Sequence, residues 1–209
     1  TAIVGPNGAG KTTYFNLISG QIKASSGEVL LNQRNLAGMS PSARTHAGLG
    51  RAFQLTNLFP HLTVLENVRL AVQATPNGAH KGGFNLWSVW SDHHALTEKA
   101  HTILETVAMA DKQHALVASL PHGDQRTLEV ALLMALDPLV YMFDEPTAGM
   151  SAEEAPVILN LIRQLKADKS KIILLVEHKM DVVRELADRI IVLHNGQLVA
   201  DGEPATVIA

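Results

Sequence analysis

The run Gly5-Pro6-Asn7-Gly8-Ala9-Gly10-Lys11-Thr12 constrains this chain more than any other part of it. Gly5, Gly8 and Gly10 let the backbone curl until successive N–H groups point inward, which is the geometry that surrounds phosphate oxygens. Thr1-Ala2-Ile3-Val4 reads as a strand entering the loop, and residues 12–20 read as a helix leaving it, with Gly20 as the stop. The spacing G-x-x-x-x-G-K-[ST] between a strand and a helix predicts a phosphate cradle. The helix start adds its positive dipole end, Lys11 reaches the outer phosphates, and the Thr12 hydroxyl is placed for Mg²⁺. Thr13 is counted with the nucleotide-binding residues. Because residues 1–4 read as the last part of a strand, the chain is expected to continue upstream of Thr1.

A second constellation lies far along the chain. The apolar run Leu139-Val140-Tyr141-Met142-Phe143 ends in Asp144-Glu145. A buried strand that delivers two carboxylates at its C-terminal end places them where ligands of α/β sheets bind. Strand side chains alternate, so the two acids differ in role. Asp144 is expected to hold a metal-bound water or Mg²⁺ itself, and Glu145 to polarise a water attacking the γ-phosphate. An Asp-Glu pair at a strand end is often only a solvated turn; beside the loop upstream it predicts nucleoside triphosphate hydrolysis.

Composition removes other classes. Seventeen basic residues against twenty acidic ones give a net charge of −3, without the basic surface that non-specific nucleic-acid binding needs. The absence of cysteine excludes disulfides and thiolate metal sites, and agrees with a reducing compartment. No apolar run approaches the ~20 residues that span a bilayer.

Strands and helices alternate at both ends of the chain. A short strand is expected at 27–31, turn signals with short apolar runs at 45–75, and helical spacing over about 92–142. Further elements follow: a helix at 153–166, a strand at 172–176, a helix at 181–187, and a hairpin of 190–192 with 197–199 around Asn195-Gly196. One domain over 1–209 is expected, with a nucleotide-binding core from 1–75 and 139–209 and a helical lobe at about 76–138. Residues 77–94, with Gly78, Gly82, Gly83, Trp87, Trp90, His93 and His94, read as an irregular surface insertion. Its tryptophans are either a docking patch or loop anchors to the core.

The order of the phosphate loop, Gln54, 120–126, Asp144-Glu145-Pro146 and His178 resembles the ATP-binding subunits of ABC transporters over nearly the whole chain. The resemblance implies an α/β fold with a P-loop NTPase core, a mostly parallel sheet and an inserted helical lobe. It implies ATP and Mg²⁺ as cofactors. In such subunits Gln54, in Arg51-Ala52-Phe53-Gln54, would link Mg²⁺ to a membrane partner, and His178 would contact the γ-phosphate and position Glu145 with the water. The aromatic residue that stacks on adenine in this family precedes the phosphate loop and falls outside these 209 residues.

The family signature L-S-G-G-Q is matched here by Leu120-Pro121-His122-Gly123-Asp124, in which only Leu120 and Gly123 agree. Gly123 keeps backbone N–H groups accessible at a helix start, whereas the serine hydroxyl is lost at Pro121. His122 and Asp124 replace a small and a neutral residue. This variant, with Leu58-Phe59-Pro60-His61-Leu62-Thr63-Val64-Leu65-Glu66-Asn67-Val68, resembles the importers of branched-chain amino acids and urea-like amides. Ser151 stands where the family often has Asp.

The resemblance further implies a second ATP-binding subunit, whose signature loop closes on the nucleotide of the first. It implies transmembrane permease subunits, a periplasmic substrate-binding protein behind them, no nucleic acid, and a place on the cytoplasmic face of the inner membrane. Two other readings stand beside it: a soluble ATPase of the same type clamping nucleic acid or ribosomes, and a low-turnover nucleotide-binding regulatory module.

Overall fold

A computed structural model describes residues 1–52, 58–75 and 94–208. Two compact units emerge: Thr1–Gln54, Pro138–Ala148 and Ile162–Ala209 form one, and Leu55–Asp137 with Gly149–Leu161 the other.

The first unit is built on a six-stranded sheet. Its strands are β1 (Ala2–Val4), β4 (Leu49–Ala52), β5 (Val140–Asp144), β6 (Ile172–Val176), β7 (Ile190–His194) and β8 (Gln197–Gly202), ordered β4-β5-β6-β1-β7-β8. All neighbours are parallel except β7 and β8, which form the expected hairpin. Asn195 and Gly196 turn it with positive φ angles of 49° and 74°, the pair that a two-residue hairpin loop favours. Alternation along β1 supplies apolar groups to both faces of the sheet. Ile3 packs with Phe15, Met142 and Val176, whereas Ala2 and Val4 pack with Val183, Ala187 and Ile190. A strand covered on both sides reads as a continuous apolar run, as residues 2–4 and 140–143 do.

Register decides where the loops emerge. Ile3 of β1 and Asp144 of β5 both stand opposite Val176 of β6. The strands therefore end level, and the loops starting at Gly5, Glu145 and Glu177 share one edge of the sheet, the edge at which parallel α/β sheets bind ligands. Helix α1 (Lys11–Ser19) leaves the first loop and ends at Gly20, whose φ of 82° is the left-handed C-cap that glycine adopts without strain. Arg44, on α2 (Pro41–His46), donates to the carbonyls of Leu17 and Ile18 at 2.8 and 2.6 Å, so a cation meets the negative end of α1. The expected strand at 27–31 is shorter: β2 (Leu30–Leu31) pairs with β3 (Arg34–Asn35). Helix α7 (Met180–Leu186) follows β6, and α8 (Pro204–Val207) follows β8.

The second unit is helical: α3 (Val64–Gln73), α4 (His94–Thr106), α5 (His122–Leu136) and the first part of α6 (Ala155–Ala167). This unit includes α3, which precedes the span of about 76–138 expected for a helical lobe. Helix α3 opens with a capping box in which the Thr63 hydroxyl accepts from the Glu66 amide at 3.2 Å and Glu66 accepts from the Thr63 amide at 2.7 Å. Asn67 is buried and fully used. It accepts from the Phe59 amide and donates to the carbonyls of Phe59 and Thr63, which fixes the turn ahead of the helix. No helix among the described residues is long and apolar enough to cross a membrane.

Candidate functional site

The phosphate loop has the conformation its glycines predict. Gly5, Gly8 and Gly10 have φ angles of 151°, 79° and 97°, where a side chain is strained. At Gly5 the constraint is also steric: a methyl group there would lie 2.1 Å from the Leu193 carbonyl oxygen. The Gly196 amide donates to the Ala9 carbonyl at 2.9 Å, so the β7–β8 turn braces the far side of the loop. Helix α1 starts at Lys11 with no side-chain cap and no acid in its first turn, leaving its N-terminal amides for an outside acceptor. Lys11 is buried, and its ammonium donates to the carbonyls of Gly5 and Pro6 at 2.8 and 2.9 Å.

Asn7, Gly8, Ala9, Gly10, Lys11, Thr12 and Thr13 line one recess together with Glu145 and His178. Residues 130 or more positions apart in sequence thus face a single cavity. His178 Nε2 lies 2.8 Å from Glu145 Oε1, with both side chains more than a third exposed. A ring proton on Nε2 donates to the carboxylate and orients it. Glu145 has a φ of 50°, an uncommon conformation for a residue with a side chain, and its amide donates to the Val176 carbonyl at 2.9 Å. Strain of this sort persists where the surroundings over-determine it, as the neighbouring strand does here.

Asp144 is buried at the end of β5, and its Oδ2 receives a guanidinium nitrogen of Arg51 at 2.9 Å. Burial pushes its carboxyl above the usual aspartate range, the Arg51 charge opposes that, and Glu145 adds to the rise. The pairing with Arg51 is what keeps a carboxylate tenable in that position.

Glu177 carries a function that its residue type does not announce. It is buried, and among the described residues it has no ion pair; its oxygens accept from the Thr147 hydroxyl at 2.7 Å and from the amides of His178 and Lys179 at 2.7 and 3.2 Å. One carboxylate thereby fixes both the loop after Glu145 and the backbone that presents His178. The family resemblance singles out His178 in the sequence but gives Glu177 no role, because the partner Thr147 is 30 residues away.

The signature residues lie in the helical unit. Leu120 and Gly123 are buried, Pro121 and His122 exposed, and α5 starts at His122 with Pro121 as an N-cap that offers no side-chain acceptor. Lys112 holds both Asp124 oxygens at 2.8 Å. Glu154 lies over Gly123, where a methyl group would sit 2.1 Å from its Oε1. The same carboxylate accepts from the Ser151 amide at 2.9 Å, and the amide and then the hydroxyl of Ser151 hold its pKa below the glutamate range, with a smaller part from the Gly123 amide. Gln54 and the segment with Trp87, Trp90 and His93 lie outside the described residues. His94 is at the exposed start of α4.

The sequence pattern of the family described as ABC transporter matches residues 1–148. This chain belongs to the ABC transporter ATP-binding family. It is 35% identical over 207 residues to the high-affinity branched-chain amino acid transport ATP-binding protein LivG of Escherichia coli strain K12, covering 99% of this chain and 81% of that protein. Among solved structures, the ADP conformation of MJ1267, an ATP-binding cassette of an ABC transporter, is similar with a TM-score of 0.77 and 29% identity. That alignment covers 97% of this chain and 79% of the other. A dimeric post-hydrolysis state of the cassette MJ0796 bound to ADP and phosphate has a TM-score of 0.78 and 25% identity, over 97% and 84% of the two chains. The α/β fold with its mostly parallel sheet is the fold of these cassettes, and ATP binding and hydrolysis coupled to transport is the family's activity.

Proposed function

We propose that this ABC ATPase drives import of branched-chain or related amino acids, amides included, through separate permease subunits on the cytoplasmic face of the inner membrane. The observation that carries the chemistry is the recess in which the phosphate loop faces Glu145 and His178. The cargo class rests on the 35% identity to LivG, a branched-chain amino acid transport protein, over nearly the whole chain. A periplasmic binding protein would deliver cargo to the permeases.

In this reading the amides of residues 5–12 hold the β- and γ-phosphates, and Lys11 exchanges its own loop carbonyls for phosphate oxygens. Glu145 orients and deprotonates the attacking water while His178 holds the carboxylate and senses the γ-phosphate. Mg²⁺ arriving with the nucleotide fits the donors present. The exposed Thr12 hydroxyl and the Asp144 carboxylate are the few hard oxygens that such an ion takes from protein when phosphate and water complete its shell. When bound, the ion offsets charge on the β and γ oxygens. Gln54 would add a further oxygen and transmit its position to the permease.

Two copies would close on ATP, each Leu120-Pro121-His122-Gly123-Asp124 loop meeting the nucleotide held by the other, an arrangement supported by the dimeric ADP-and-phosphate state of MJ0796. Closure gives nucleotide a differential affinity for two states, and hydrolysis releases the closed one. Glu145→Gln is the test. Turnover is expected to fall by about 10²–10⁴-fold, the range of a lost general base, while ATP with Mg²⁺ shifts the protein to a dimer on size exclusion. Hydrolysis at the parent rate would show that Glu145 is not the base.

A further inference from the structure

Arg51 stands third in β4 with its side chain only 12% exposed. Its guanidinium reaches two neighbouring elements, β5 and α1. One terminal nitrogen donates to Asp144 Oδ2 on β5 at 2.9 Å; the other donates to Asn16 Oδ1 at 2.6 Å and Ser19 Oγ at 3.2 Å, both on α1. The guanidinium carbon lies 5.5 Å from the centroid of the Phe15 ring, also on α1. A planar fork with donors in fixed directions can serve a carboxylate on one side and an amide on the other, which a single ammonium cannot. Burial of a cation is costly unless it is paired, so a side chain held by both its terminal nitrogens is kept for what it fixes.

What it fixes is the carboxylate at the strand end. Asp144 is the acid assigned to Mg²⁺ above, and α1 is the helix that carries Lys11 and Thr12. We infer that Arg51 is the positioning residue of the Mg²⁺–nucleotide site. It occupies Oδ2 of Asp144, reserves Oδ1 for the ion, and locks that carboxylate to the helix bearing the other metal ligand. The inference rests on the reading of Asp144 as a metal ligand. Ordering a carboxylate in advance removes a rotational freedom that binding would otherwise have to remove, and outer-shell partners of this kind are typically worth about 10- to 100-fold in metal affinity.

The experiment follows binding of a fluorescent ATP analogue to the whole chain while Mg²⁺ is titrated, with a parallel series in EDTA. Arg51→Met is expected to raise the Mg²⁺ midpoint about 10- to 100-fold and to leave binding in EDTA within twofold of the parent. Arg51→Lys, which keeps the charge but cannot span Asn16 and Asp144 together, is expected to show an intermediate midpoint, and it stands in if the methionine variant does not fold. Asn16→Ala removes one anchor of the fork and is expected to shift the midpoint less than Arg51→Lys. An unchanged midpoint in the folded Arg51 variants overturns the inference, as does an equal loss of nucleotide binding with and without Mg²⁺, which is the mark of a merely structural role. Asp144→Asn separates this from the reading beneath it. If that variant leaves the midpoint unchanged, Asp144 is not a ligand; if it shifts while the Arg51 variants do not, only the role of Arg51 fails.

Discussion

Two helices of this chain begin at glycine-bearing loops, and their first turns are furnished in opposite ways. At α1 no side chain caps the start, no acid sits in the first turn, and the cation at hand, Lys11, rests on carbonyls of its own loop. At α5 no residue of the cap supplies an acceptor either, but two carboxylates have been brought in: Asp124, tied to Lys112, and Glu154, lying over Gly123. Both ends carry the same partial positive charge from aligned peptide dipoles. The first awaits an anion, whereas the second has one of its own already. In the proposed closed dimer, a phosphate reaching α5 from the other subunit would meet negative charge and have to displace it or be accommodated beside it, so the two ends would contribute unequally to holding ATP.

The sharpest way to break this comparison is at α1. Lys11→Ala removes a charge-assisted contact of ~1.5–3 kcal/mol, so nucleotide affinity measured by titration calorimetry is expected to fall about 10- to 100-fold. The same truncation at Lys112, which faces Asp124 rather than nucleotide, is expected to change affinity of the single subunit by less than about twofold; a comparable loss would mean that the two helix starts are not distinct. At Gly123, propensity and packing pull in opposite directions. Alanine favours a helix by up to ~1 kcal/mol over glycine, yet its methyl group collides with Glu154. Gly123→Ala alone is expected to lower Tm by about 2–4 °C, and to become neutral or stabilising when combined with Glu154→Ala. Additive effects in that cycle would show that Glu154 does not press on Gly123 in solution.

Glu154→Gln is a smaller change, because glutamine preserves the Ser151 cap while removing the charge over α5. In the Glu145→Gln background, ATP-driven dimerisation is expected to tighten about two- to fivefold by analytical ultracentrifugation, the modest size expected of a solvent-screened charge at a helix end. Weakened dimerisation would instead make Glu154 a support of the signature loop. The smallest effect is in pH. The folded Glu154 pKa lies below the ordinary glutamate value, so its contribution to stability is present above that value and is lost as pH falls through the folded pKa. Glu66, depressed by the Thr63 amide and then its hydroxyl, behaves in the same way. Melting between pH 5 and about pH 3 is expected to decline less steeply in Glu154→Gln than in the parent.

Local chemistry was legible in the sequence where it was complete within one segment. The loop at 5–12, the stop at Gly20, the strand at 172–176 and the Asn195-Gly196 turn each carry their own signal, and the structure has them where those signals lie. Helix α3 was also written in a capping box, Thr63 with Glu66, but the turn residues ahead of it obscured the period and the region read as broken apolar runs. Arg51, Glu177 and Glu154 were not legible. Each acts through a partner brought close only by the fold, Asp144 lying 93 residues beyond Arg51, and a charged residue before a partner is known looks like any solvated one.

Glu145 and His178 hang from β5 and β6, and the amide of Glu145 is bonded to the last residue of the neighbouring strand. Both residues follow the ends of two paired strands, whose ladder sets where their backbones emerge. In the proposed reaction this pair is an anvil whose backbone is set in advance, and a cell that wishes to start or stop the engine has to control what is laid upon it.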